Sequence, residues 1–110
     1  MAYTPDRGDI VLLSFDPTLG REQKGMRPAV VISPKLYNGA ARLAMVCPIT
    51  RQRKGYPFEV DIASDQGIDG AVLVDQLRSI DWKERKARKV GVLTADQLQE
   101  LLAKVATLVG

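Results

Sequence analysis

The chain has 110 residues, 45% of them hydrophobic and 26% charged, and a net charge of +3. These values fit a single globular domain, residues 1–110, with a modest preference for anionic partners. With no histidine and one cysteine, it cannot form an internal disulfide, a Ser-His-Asp triad, a Cys-His pair or a paired-histidine ribonuclease site, and zinc has almost no ligands. Any catalysis must use carboxylates, arginine, lysine, hydroxyls and backbone; no metal or cofactor is expected. The start "MAYTPDRGD" lacks the apolar core of a signal peptide, and no apolar run approaches a membrane span. A cytoplasmic protein without membrane contact is expected.

"GDIVLLSFD" predicts a strand stopped by the Asp16-Pro17 turn. "DPTLGREQKGM" follows as a polar loop, long for a compact domain, and such loops are often functional. "PAVVIS" predicts a second strand closed by Pro34, and "LYNGA" a turn. "RLAMVCPIT" predicts a third strand, with Pro48 marking a bulge or an edge. Cys47 lies in its apolar run and reads as a buried small hydrophobe. "RQRKGY" is a basic loop. "PFEVDI" alternates as a fourth strand, and "GAVLVD" with "LRSID" supplies one or two more. "DWKERKARKVGV" fits a short helix or a basic connection.

The chain ends differently. Thr94 with Gln97 three residues on has the form of a capping box. Leu98, Leu101, Leu102, Val105, Leu108 and Val109 then follow helical spacing as one apolar stripe, expected to pack on the sheet. The whole is mainly β with α, an α+β protein: a small curled sheet or barrel with a C-terminal helix packed on it. Spacing alone leaves an SH3-like barrel and an OB-fold equally open.

Three loop regions carry groups suited to chemistry. The first holds Glu22, Gln23, Lys24 and Arg27. A residue before proline is pushed into an extended conformation, so Arg27 is held by both Pro28 and the strand that follows. A cation restrained this way loses little entropy on gripping an anion, and its planar fork matches phosphate oxygens. The plain alternative is a surface arginine paired with Glu22 or another carboxylate. The second region holds Thr50, Arg51, Arg53 and Lys54, beside Tyr56 and Phe58. Cations next to rings suit single-stranded RNA, whose bases stack while its phosphates meet charge. Against this, Thr50 also suits a turn that bonds its own backbone, and Phe58 suits the core. The third holds Asp75, Gln76 and Arg78 at a strand end, where amide and carboxylate offer donors and acceptors to a base edge. Backbone bonding at a bulge is the structural alternative. The basic cluster "KERKARK" reads as mostly solvated.

Taken in order, "GDIVLLSFDPTLGREQKGMRPAVVISP", "CPIT", "KGYPFEV", "VLVDQLRSID" and the terminal helix resemble the MazF/PemK family of toxin-antitoxin endoribonucleases over nearly the whole chain. Each motif is weak alone; the ordered set is strong. The resemblance implies an SH3-like or CcdB-like barrel and a homodimer. It implies metal-independent cutting of single-stranded RNA at short motifs, leaving 2′,3′-cyclic phosphate and 5′-hydroxyl ends and arresting growth. It also implies an acidic antitoxin as partner, with DNA reached only through that antitoxin. Position by position, it makes Arg27 the catalytic arginine, Thr50 the threonine after "CPI" and Glu22 the loop acid, with Asp75 and Gln76 in an RNA-contacting segment. Two other classes remain in view: a gyrase-poisoning toxin of the same fold, and an RNA-binding barrel that leaves its RNA intact.

Overall fold

The computed structural model describes residues 3–14, 26–63 and 67–110. In chain order the elements are β1 (Asp9–Ser14), β2 (Met26–Val31), α1 (Lys35–Ala41), β3 (Ala44–Thr50), β4 (Glu59–Ala63), β5 (Asp69–Leu73), β6 (Arg78–Ile80), β7 (Arg88–Val92) and α2 (Ala95–Val109). One 3-10 turn, Val74–Gln76, joins β5 to β6. Every strand pair is antiparallel. The order is β4-β5-β3-β2-β1-β7, with β6 lying on β3 as well. The result is an antiparallel half-barrel with α2 against one of its faces, in line with the α+β barrel expected from the motifs.

β3 is the hub. One side pairs with β2 through Val46, Cys47 and Pro48. The other side pairs with β6 through Ala44, Met45 and Val46, then with β5 from Ile49 onward. Pro48 is therefore in a central strand and not at an edge, contrary to one of the two expectations. The hydrogen bonds explain how it is tolerated. Ile32 N donates to Met45 O at 2.8 Å, so Met45 and Cys47 aim their backbone groups at β2, while Pro48 aims away. On that side it meets the gap between β6 and β5, where no ladder N–H is needed.

Strand alternation sorts the apolar residues onto two faces. Ile10, Val30, Cys47, Ile49, Val60, Val72 and Leu101 belong to one core, against α2. Val11, Leu13, Ala29, Val31, Val46 and Ile80 form a second, smaller one, packed by Tyr3, Trp82 and Ala87. α2 opens with the predicted capping box: Thr94 Oγ1 accepts from Gln97 N at 3.1 Å, and Gln97 Oε1 accepts from Thr94 N at 2.9 Å. Leu101 is fully buried and Leu98, Leu102 and Val105 pack beside it. The stripe runs past the sheet at its end, leaving Leu108 and Val109 exposed.

"LYNGA" is not a turn; it lies within α1, which starts directly after Pro34. Asn-Gly is a poor helical pair, but Asn38 is fully buried and its side chain is saturated. It accepts from Ser33 Oγ at 2.5 Å and donates to Pro5 O at 2.8 Å and Ser33 O at 3.0 Å. Ser33 Oγ also accepts from Met45 N at 2.9 Å. This network outweighs local propensity and ties α1 to the sheet. The segment that was open between helix and connection is a turn over 82–86 followed by β7.

Candidate functional site

β1 and β2 are in register with Leu13 opposite Arg27, so Arg27 projects on the face of the smaller core. β2 and β3 pair as Ala29 with Pro48 and Val31 with Val46. Carrying that register two residues further sets Thr50 across from Arg27. Arg78 pairs with Val46, and its side chain falls on the same face as that of Ile80 two residues on. Alternation therefore gathers Arg27, Thr50 and Arg78 on one side of the sheet, although they are far apart in sequence.

That side carries a cleft of ≈ 880 Å³ whose lining includes Arg27, Pro48, Thr50, Arg51, Gln76 and Arg78. Arg27 is exposed, and among the described residues its guanidinium has no hydrogen-bond or ion-pair partner. Thr50 Oγ1 accepts from Gln52 N at 3.1 Å, the turn-threonine bond weighed as an alternative. This bond orients the hydroxyl and leaves its proton free to donate into the cleft. The 3-10 turn after β5 swings Gln76 onto the rim.

Gln52 and Asp69 also line the cleft, and sequence reasoning missed both. Gly70 was missed as well. A side chain there would collide with the Thr50 carbonyl oxygen and with the methyl of Ile49, so the glycine lets β5 close against the end of β3 behind Thr50. The available signal was a lone glycine inside a strand pattern.

The other described candidates, Arg53, Lys54, Tyr56 and Asp75, are not in the cleft's lining. Arg53 bonds Asp61 through Nε and Asp69 through Nη2 at 2.7 Å, and also reaches the carbonyls of Ile62 and Gly70 at 3.2 Å. Its hydrogen bonds to Asp69 and then Asp61 raise its pKa, leaving it a permanent cation across β4 and β5. Backbone N–H groups of Lys54 and Gly55 donate to the Glu59 carboxylate at 3.2 Å, which shapes the basic loop. Tyr56 is exposed away from the cleft lining, and Phe58 packs against the main core. Asp75 stands outside the lining. Its charge, after burial, helps push the Cys47 thiol up to about 12, so Cys47 is an inert core residue. Glu22, with Gln23 and Lys24, lies outside the described residues.

Among the described residues the cleft therefore presents three arginines, an oriented hydroxyl and two amides, and the one carboxylate in its lining, Asp69, is already bonded by Arg53. This lining has the chemistry to receive a polyanion that also carries hydrogen-bonding groups.

Comparison with known proteins places the chain in a family. Residues 6–109 match the model of the PemK-like, MazF-like toxins of type II toxin-antitoxin systems, and the chain belongs to that family. It is 48% identical over 108 residues to the endoribonuclease toxin MazF of Escherichia coli (strain K12), covering 98% of this chain and 96% of that protein. The crystal structure of MazF from Deinococcus radiodurans superposes with a TM-score of 0.87 at 46% identity, covering 99% of each chain. A MazE-MazF structure from the same organism gives 0.87 at 42% identity, covering 99% of this chain and 98% of the other.

Proposed function

We propose that the chain is the toxin of a type II toxin-antitoxin pair and that it cuts single-stranded RNA in the cleft over the paired ends of β2 and β3. The observation that carries this is the placement of Arg27, Thr50, Arg51 and Arg78 on one cleft. The named endoribonucleases among its relatives support the same reading. In the proposed reaction the 2′-oxygen attacks the adjacent phosphorus, and the bond from phosphorus to the 5′-oxygen breaks. The products are a 2′,3′-cyclic phosphate and a 5′-hydroxyl. The 2′-hydroxyl gives its proton to a base, for which Glu22 is the candidate, and the departing 5′-oxygen takes one up. Arg27 stays protonated throughout and neutralises the charge that builds on the phosphorane. Thr50 donates to a phosphate oxygen. Gln76 offers both donor and acceptor to a base edge, and Arg51 and Arg78 meet flanking phosphates.

Because Arg27 supplies the charge neutralisation, this route calls for no metal. The protein works as a single domain, as a homodimer, in the cytoplasm, and it is held inactive by an acidic antitoxin. MazE-MazF structures among its structural neighbours support the antitoxin partner. Incubation with a long natural RNA in the presence of EDTA, followed by a denaturing gel, tests the reading. Discrete fragments are expected. RNA that is bound but left intact would make the protein a binding barrel, and inhibition of gyrase supercoiling without RNA cleavage would make it a gyrase poison.

A further inference from the structure

On the smaller core's side of the sheet, a second cleft of ≈ 420 Å³ is lined by Tyr3, Arg42, Trp82, Lys83 and Lys86, with no carboxylate in its lining among the described residues. Both rings are fixed. Trp82 Nε1 donates to Asn38 O at 3.1 Å, and Tyr3 OH donates to Asp9 Oδ2 at 2.5 Å. The three cations form no ion pair among the described residues. Asp81, the nearest acid in sequence to Trp82, is not in the lining and accepts from Glu84 N at 2.9 Å.

The backbone adds an independent observation. Arg42 and Lys86 are the residues other than glycine with positive φ, 62° and 56°, among the described residues. Arg42 occupies the C-cap of α1, a left-handed position that glycine fills at least cost. Lys86 closes the 82–86 turn in the same conformation. At two separate places the chain sets a long cation where glycine is the stable choice, and both places face one cleft. Such local cost points to use of the side chain.

We propose that this second cleft binds a nucleotide of the single-stranded RNA outside the cutting cleft, with the base against Trp82 and the phosphate between Arg42, Lys83 and Lys86. Fixed rings among unpaired cations are what single-stranded nucleic acid requires. The two clefts are linked by β6. Arg78 lines the first and Trp82 the second, four residues apart, so at most about 14 Å separates their backbones. One strand of RNA spans that. The inference rests on the endoribonuclease reading.

The test uses the full chain and two RNAs: a short oligonucleotide spanning only a mapped cut site, and one extended on both sides. The double variant Arg42→Gly, Lys86→Gly should fold as well as or better than the unaltered protein. It should cut the short RNA unchanged. Its affinity for an uncleavable form of the long RNA should fall, and the slope of log K against log salt should flatten by about 0.7 for each phosphate that is no longer neutralised. Lys83→Gln, which leaves the backbone alone, should act in the same direction. Equal slopes for variant and unaltered protein on the long RNA would overturn the second site while leaving the endoribonuclease reading intact. Weaker binding of an acidic antitoxin peptide with unchanged long-RNA binding would also overturn it and assign the cleft to a protein partner. Failure of the unaltered protein to cut either RNA would remove both proposals.

Discussion

Arg27 is exposed and unpartnered among the described residues, yet Pro28 and the ladder to Leu13 fix its backbone. Arg27→Ala should therefore leave thermal stability nearly unchanged and lower the cleavage rate by about two to three orders of magnitude, as loss of one preorganised charge stabiliser does. Single-turnover kinetics with a thermal melt beside them checks this. Cys47 behaves in the opposite way, as a core residue with no part in the chemistry. Burial, aided by Asp75, raises its thiol in the folded state to about 12 from an ordinary value of 9.0. The folded state then holds this proton more tightly than the unfolded chain. The contribution is complete below pH 9 and is lost as pH rises from there through 12. Denaturant midpoints measured across that window should fall, and Cys47→Ala should flatten part of the fall.

At the scale of elements, the two arginines of the "RQRKGY" loop do different work. Arg51 faces the cleft, while Arg53 spans Asp61 and Asp69 across β4 and β5. Arg51→Ala should weaken RNA binding and flatten its salt dependence with little change in melting temperature. Arg53→Ala should lower the melting temperature more than Arg51→Ala does. A nitrocellulose filter assay over a salt series, with melts of both variants, separates them. For α2, Leu101 is fully buried against the main core. Leu101→Ala should cost about 2–5 kcal/mol in chemical denaturation, the usual range for a leucine cavity.

α2 was legible because its cap and stripe are local signals. α1 was not, because the buried bonds of Asn38 to Ser33 and Pro5 outweigh the turn character of Asn-Gly and appear only in three dimensions. The same holds for Pro48. A proline inside a strand names a missing donor, but only the change of partner from β6 to β5 shows where that donor is dispensable.

At the scale of the molecule, the motifs divide by role. In "GDI", Asp9 is buried, accepts from Tyr3 OH and Asp6 N and pairs with Lys89 at 3.4 Å. In "SP", Ser33 anchors α1. "RP" and "PIT" instead supply Arg27 and Thr50 to the cleft. The ordered motifs thus spoke to fold and site together, and strand parity set the two site residues on one face. Arg53, Lys54 and Tyr56 could not be sorted that way, because loop side chains follow no such parity. Asp69 escaped notice because its place beside the cleft depends on the pairing of β5 with β3.

The whole account turns on RNA cleavage by an internal nucleophile in this cleft. The most direct measurement uses one RNA with a mapped cut site in two forms, all-ribose and with a single 2′-deoxyribose at the cut position, both incubated with the protein in EDTA. The ribose form should be cut, leaving a 2′,3′-cyclic phosphate on one fragment and a 5′-hydroxyl on the other, and the deoxy form should stay intact. Cleavage of the deoxy form would make water the attacking group and contradict the mechanism, and an uncut ribose form that magnesium restores to cleavage would place a metal where Arg27 has been placed.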